Sequence, residues 1–234
     1  MCDRPTNEES GQDSPTPHRE PVRIRAVYDE IATHFSKTRV NPWPEVEAFL
    51  DSVAGSDADR VGLDIGCGNG RHTAVLSEVV SRVVALDASR ALLGETRQRM
   101  ADEGWDAHLV QGDAGSLPLT TGSVDLAVYV ATLHHLPDRA ARVRSLDELG
   151  RVLADGGRAL VSAWSTAHDR FDADPDADEG FDTTVDWTLP GGETVPRFYH
   201  IYAPAEFEAD LRDARLTIDD VYVSSGNCYA KVHL

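Results

Sequence analysis

Lysine is nearly missing from this 234-residue chain: Lys37 and Lys231 stand beside twenty arginines. Cysteine is just as scarce. Cys2, Cys67 and Cys228 are too few and too irregularly spaced for a disulfide framework or a tetrahedral zinc site, so no metal is expected. No apolar run is long enough to span a bilayer, and the opening MCDRPTNEESGQDSPTPHRE lacks the apolar centre of a signal peptide. The expectation is a cytoplasmic chain with no membrane partner.

Positive charge is short overall. A formal net charge of -18 disfavours nucleic-acid binding, which draws its affinity from counterions displaced by Lys and Arg. The kind of acidity qualifies that: aspartate outnumbers glutamate, arginine replaces lysine, and the acids are spread along the whole chain. Such a surface suits a salt-rich cytoplasm, where fields are screened within about 3 Å at molar salt, so a halophilic source is expected and contacts at short range outweigh net charge. Local basic clusters remain at Arg23 and Arg25, at Lys37 and Arg39, and at Arg139, Arg142 and Arg144, each equally readable as a solvated helix face.

Residues 1–20 are polar and rich in Pro, Ser and Asp, a composition that cannot offset ordering entropy by burial, and are read as a disordered arm. Residues 21–234 are read as one domain. Two helices over about 22–54 come first, the second opening at Pro44. Apolar runs Arg60–Ile65, Arg82–Leu86, Ala107–Gln111, Val124–Val130 and Arg158–Ala163 then alternate with helical stretches, the pattern of a parallel sheet covered on both faces. Gly156 and Gly157 read as the left-handed stop of the last of these helices. An acidic insertion over about 166–196 reads as a segment reaching over the ligand edge rather than as core. A helix at Pro204–Asp213 and a hairpin from Leu216–Ser224 to Cys228–His233, turning at Gly226 and Asn227, complete the chain.

The chemistry sits in VGLDIGCGNGR, Val61–Arg71, and in the acid that ends the next apolar run, Asp87. Gly66, Gly68 and Gly70, with Asn69 among them, let backbone approach a ligand closely, and Asp87 can accept two ribose hydroxyls. The third glycine of a dinucleotide fingerprint is missing, and Asp64 would repel a phosphate but suits a cation. A nucleoside bearing positive charge fits, which selects S-adenosylmethionine, with S-adenosylhomocysteine as product, over NAD. Asp113 and Ala114 follow the third strand and can meet the adenine amine. Ala131 to His135 follow the fourth, and His134 or His135 could serve as a base. Tyr28 lies on a helix face that could lean over the methionine end of the donor.

Beyond these motifs, VYDEIATHFSKTRVNPWPEVEAFL, LDIGCGNGR, LHHLP, PRFYHIY and GNCYAKVHL resemble the tRNA wobble-uridine carboxymethyl methyltransferases. The resemblance implies an α/β Rossmann-like class I methyltransferase fold, a seven-stranded, mostly parallel sheet with a C-terminal antiparallel hairpin. It also implies esterification of 5-carboxymethyluridine in the tRNA anticodon loop, and a small zinc-binding activator protein as partner. A carboxylate acceptor ordinarily titrates at roughly pH 4 and is already ionised at neutral pH, so no base is required. On that chemistry Arg197 orients the acceptor carboxylate, Tyr199 and His200 line the base or ribose, and Lys37 and Arg39 meet RNA. Two other readings stay open: a small-molecule methyltransferase with a histidine base, and a non-catalytic module that binds the donor.

Overall fold

The structure, a computed structural model, describes residues 21–53, 55, 59–174 and 177–234; the arm read at 1–20 lies outside the described residues. Helices α1 (Pro21–Thr38) and α2 (Pro44–Val53) precede β1 (Val61–Ile65). Then follow α3 (Arg71–Ser77), β2 (Arg82–Asp87), α4 (Arg90–Glu103), β3 (His108–Gln111), β4 (Val124–Val130), α5 (Arg139–Val152) and β5 (Leu153–Trp164). The chain closes with β6 (Phe181–Thr188), β7 (Thr194–Ile201), α6 (Pro204–Asp213), β8 (Thr217–Ser224) and β9 (Asn227–His233). Among the described residues no helix is long and apolar enough to cross a membrane.

Seven strands form one sheet in the order β3-β2-β1-β4-β5-β9-β8. The first five are parallel; β9 runs antiparallel to both β5 and β8. The period of two in β4 explains why its VDLAVYV is apolar throughout. Ala127 and Tyr129 enter the core shared with α5 and α6, while Leu126, Val128 and Val130 enter the core shared with α2 and α3. Strand order reverses between β1 and β4, which opens a crevice at the carboxyl ends of the strands.

Three details differ from the sequence reading. Helix α5 ends at Val152 with Leu153 already extended, so Gly156 and Gly157 do not cap it. They lie inside β5 at a break in register, where Val124 pairs with Leu153 but Leu126 pairs with Arg158. A Cβ on Gly157 would sit 2.8 Å from the Val124 carbonyl oxygen, and Gly156 has φ +76°. The acidic insertion contains a strand: β6 pairs antiparallel with β7 in a separate two-stranded sheet, and Val185, Trp187 and Val195 are buried in it. The final hairpin turns one residue earlier than read, at Ser225 (φ +50°) and Gly226 (φ +75°), the two left-handed positions that a tight turn between twisted strands requires.

A carboxylate of helix α1 ties it to the start of α4. Asp29 Oδ1 accepts from Ser89 Oγ at 2.7 Å and from the Ala91 backbone N–H at 3.0 Å, and Ser89 itself caps α4 by accepting from Leu92 N–H. Asp29→Ala should lower the unfolding free energy by about 1–2 kcal/mol, the loss of a cap and a buried bond. A urea midpoint equal to that of the parent would show that α1 docks by other means.

Candidate active site

Three left-handed glycines build the floor of the crevice. Gly66, Gly68 and Gly70 have φ of +73°, +58° and +78°, and a Cβ on Gly66 would meet Thr132 Oγ1 at 2.1 Å. The loop is registered on β2, because the Gly66 and Cys67 N–H groups both donate to the Leu86 carbonyl, at 2.7 and 3.0 Å. The next residue on β2 is Asp87. Gly68 N–H donates to its Oδ2 at 2.9 Å and Ser89 N–H to its Oδ1 at 2.8 Å, so each oxygen is fixed by one backbone donor and keeps a lone pair for a ligand hydroxyl. Burial raises the Asp87 carboxyl to about 6 despite those two donors.

Above the loop lies a cavity of about 850 Å³. It brings together Gly66, Gly68, Asn69, Asp87, Asp113, Ala114 and Ala131 from the strand ends. Tyr28 and Arg39 come to it from α1 and its exit, His134 from the 3-10 turn Leu133–His135, and Arg197 and Tyr199 from β7. Four residues singled out from the sequence do not line it. Lys37 is exposed on α1, and Gly70 is spent on the turn into α3, where a Cβ would meet Thr96 at 2.7 Å. Asp64 is turned into α3, accepting from Thr73 Oγ1 at 2.6 Å, and burial raises it to about 7. His200 is placed on the wrong side of its strand for the role read from the sequence. Neighbours on a strand face opposite ways, so Tyr199 at the cavity sends His200 to carboxylates on the other side, Asp182 at 2.9 Å and Glu206 at 3.0 Å.

Hydrogen bonds settle the histidine tautomers. His134 Nδ1 accepts the Trp164 backbone N–H at 3.0 Å, so its proton is on Nε2, and burial keeps the ring neutral. Nε2 is buried without a partner among the described residues; as an N–H it can donate to a ligand but cannot take a proton, which removes His134 as a base. His135 has the opposite tautomer. Its Nδ1–H donates to the Phe198 carbonyl at 2.9 Å and its Nε2 accepts the Tyr28 hydroxyl at 2.7 Å, while burial lowers its pKa to about 3. The Tyr28 oxygen in turn accepts from Arg197 Nη1 at 3.3 Å.

Arg197 is 5 % exposed, and its Nε has no partner. Its guanidinium lies over the rings of Trp187 at 4.8 Å, Tyr199 at 5.1 Å and Tyr28 at 6.0 Å. Among the described residues no carboxylate pairs with it. His135, read from the sequence as a possible base, instead links Phe198 to Tyr28. Trp187 is a contributor the sequence gives no sign of, because nothing local announces the β6–β7 pairing.

Residues 63–161 match the methyltransferase domain family. A tRNA (carboxymethyluridine(34)-5-O)-methyltransferase of Schizosaccharomyces pombe is 34% identical over 170 residues, 71% of this chain and 68% of that protein. The chain belongs to this methyltransferase family. A putative methyltransferase of Encephalitozoon cuniculi is 34% identical over 182 residues, covering 76% of this chain and 80% of its own length. The mouse relative of the carboxymethyluridine group is 34% identical over 146 residues, 62% of this chain, and the chain spans only 20% of it. Among solved structures, the DhpI-SAM-HEP complex superposes with a TM-score of 0.68 at 22% identity, covering 89% of this chain and 95% of that one. CcbJ methyltransferase of Streptomyces caelestis gives 0.67 at 18% identity, covering 88% and 97%. The fold is that of class I methyltransferases.

The methyltransferase site fits S-adenosylmethionine on its own geometry. Asp87 presents two half-occupied oxygens, the glycine loop leaves its backbone uncovered, and the cavity is of a size to hold a nucleoside with an amino-acid tail. The two acids beside it carry a pH dependence. A carboxyl raised in the free protein is neutral below its pKa: Asp64 then loses the negative charge it sets behind the loop and Asp87 the charge it presents to the ligand, so affinity for the cationic donor should hold above pH 7 and fall as pH drops through about 7 and 6. Titration calorimetry between pH 5 and pH 8 reads this directly, and an affinity flat to pH 5 would contradict it.

Proposed function

We propose that this methyltransferase esterifies a carboxylate on a modified wobble uridine of tRNA, 5-carboxymethyluridine being the acceptor that the family names suggest. The observation that carries the reading is Arg197: a buried guanidinium in the cavity, walled by aromatic rings, with no carboxylate paired to it among the described residues. A desolvated cation of this kind calls for an anionic ligand. A nucleoside carboxylate answers that call and needs no base, which agrees with two histidines that are both held neutral.

S-adenosylmethionine, when bound, supplies a methyl group made electrophilic by positive sulfur. The chain's part is positioning. Asp87 holds the ribose, Asp113 and Ala114 line the adenine end, and Tyr28 and Ala131 lie towards the sulfur. Arg197 is held by Tyr28 through Nη1, and its guanidinium offers a charged donor to one acceptor oxygen, with the second oxygen free to attack. His134 Nε2–H is a further donor for the acceptor, and Tyr199, stacked on Trp164 at 4.6 Å and 17°, is a flat wall for a uracil ring. Attack of an anion on a cation disperses charge, so the apolar lining favours the transition state over a wet site. On the same reading residues 21–234 act as one catalytic unit, tRNA and a small zinc-binding activator are the partners, and the setting is a salt-rich cytoplasm.

Arg197→Gln should cut kcat/KM on tRNA bearing carboxymethyluridine by roughly 10- to 100-fold, the worth of a charged hydrogen bond, with the donor dissociation constant within about twofold of the parent. At saturating donor the rate should be level from pH 7 to pH 9. Equal turnover of tRNA whose wobble uridine lacks a carboxylate, or of the Arg197 variant, would overturn the assignment.

A further inference from the structure

Two groups of arginines stand apart in this chain. Arg99, Arg139, Arg142, Arg151, Arg158 and Arg212 each pair with a carboxylate. Arg60, Arg82, Arg90, Arg97, Arg144 and Arg215 have no such pair among the described residues and lie away from the 850 Å³ cavity, whereas Arg39, Arg71 and Arg197, also without a carboxylate, line it together with Arg25 and Arg170. What sets Arg39, Arg71 and Arg197 apart is place: each guanidinium lies over aromatic rings in the cavity wall with no carboxylate beside it, which leaves it open to an anion arriving from outside.

Arg197 is deep in the cavity, and the other two stand nearer its mouth. The Arg39 guanidinium carbon is 5.2 Å from the Trp187 ring and 5.8 Å from the Phe35 ring, and Arg71 lies 5.1 Å from Trp43. Burial, and after it the charge of Arg39, lowers Arg71 to about 10, so these two cations already press on one another. Trp187 connects the two levels, since Arg197 and Arg39 both lie over its indole. One ring thus carries both a deep cation and an outer cation on the wall of the same cavity.

We propose that Arg39 and Arg71 form a subsite for the phosphodiester next to the acceptor nucleotide. The enzyme then reads two anions of one residue, a carboxylate at Arg197 and a phosphate at Arg39 and Arg71. This rests on the proposed function, in which the acceptor is RNA. The donor's own carboxylate is the competing occupant, but one such charge leaves a guanidinium uncompensated. Arg39 is also stacked on Trp187 of β6, the strand paired with the one that carries Arg197, rather than on the Asp87 side.

The test is a binding cycle between protein and RNA. An anticodon stem-loop oligonucleotide carrying 5-carboxymethyluridine is compared with versions in which one or the other flanking phosphodiester is a neutral methylphosphonate. Wild type, Arg39→Gln, Arg71→Gln and the charge-keeping Arg71→Lys are titrated by fluorescence anisotropy in potassium chloride, and donor affinity is measured by calorimetry. One neutral linkage should weaken wild-type binding about tenfold, each Gln variant should weaken the native strand by a similar factor, and combining them should add little. Arg71→Lys should recover most of the loss, and donor affinity should stay within about twofold. Losses that multiply at both linkages, or Gln variants that lose the donor while keeping RNA, overturn the phosphate subsite. Wild type that binds a plain uridine strand as well as the carboxylated one overturns the acceptor reading instead, and that result is separate from the cycle.

Discussion

The Tyr28 hydroxyl is where three distant parts of the chain become one site. The Phe198 carbonyl fixes the proton of His135 on Nδ1, which obliges Nε2 to accept; Tyr28 must then donate, and its free lone pair is turned towards Arg197. Each choice forces the next. The result ties α1, the turn after β4 and strand β7 without any ion pair, so Arg197 is held in place while its charge is left unspent. A carboxylate in the position of Tyr28 would also have held the arginine, but it would have neutralised the very group that an anionic ligand needs.

The donor side is built on the opposite arrangement. Asp64 and Asp87 are both buried and both raised by desolvation, and the charge of Asp87 raises Asp64 further. An empty site therefore stores electrostatic cost that a cationic ligand relieves. The acceptor side stores cost of the other sign at Arg71, which burial and the charge of Arg39 lower to about 10. A cation and an anion are the two reactants that satisfy such a divided cavity together, and drawing them to adjacent positions is most of what a methyl transfer to a carboxylate asks of a protein.

How much of this could be read from residues alone follows burial. Strand β4 is buried on both faces and reads as an unbroken apolar run, and the Gly66–Gly70 loop is legible because only glycine fits the positive φ angles that it adopts. Strand β6, FDTTVDWT, is buried at Val185 and Trp187 only, and the acids between them make it look like a surface insertion. Its core is split, Trp187 packing against Ile31 and neighbouring residues of α1 and Val185 against Tyr199, Ile201 and Trp164 at the end of β5, so no local pattern announces it. His200 illustrates the same limit from the other side. Its chemistry suited a site, but which face of β7 it takes depends on a register set by pairing with β6. Gly156 and Gly157 follow a helix, as a cap would, and only the bulge in β5 shows what they are for.

On the proposed function, acidity and RNA recognition are reconciled by sorting rather than by net charge. At high salt the summed field of forty acids reaches only a few ångströms, roughly 3 Å at molar strength, so a ligand at the cavity senses only groups that it touches. What counts there is whether a guanidinium is already paired. On the flanks, Arg139 and Arg142 are matched to Asp210, and Arg158 to Asp219, so two of the three arginines of the basic cluster on α5 are committed to α6. Part of the positive charge left over lies against aromatic rings around one opening. Arginine suits that arrangement better than lysine, because a planar, weakly hydrated cation can lie on an indole while keeping in-plane donors for an oxyanion. The scarcity of lysine then ceases to be a handicap: a strongly hydrated ammonium would gain little from Trp187, Tyr199 or Trp43, whereas a guanidinium is both held by those rings and left free to bind.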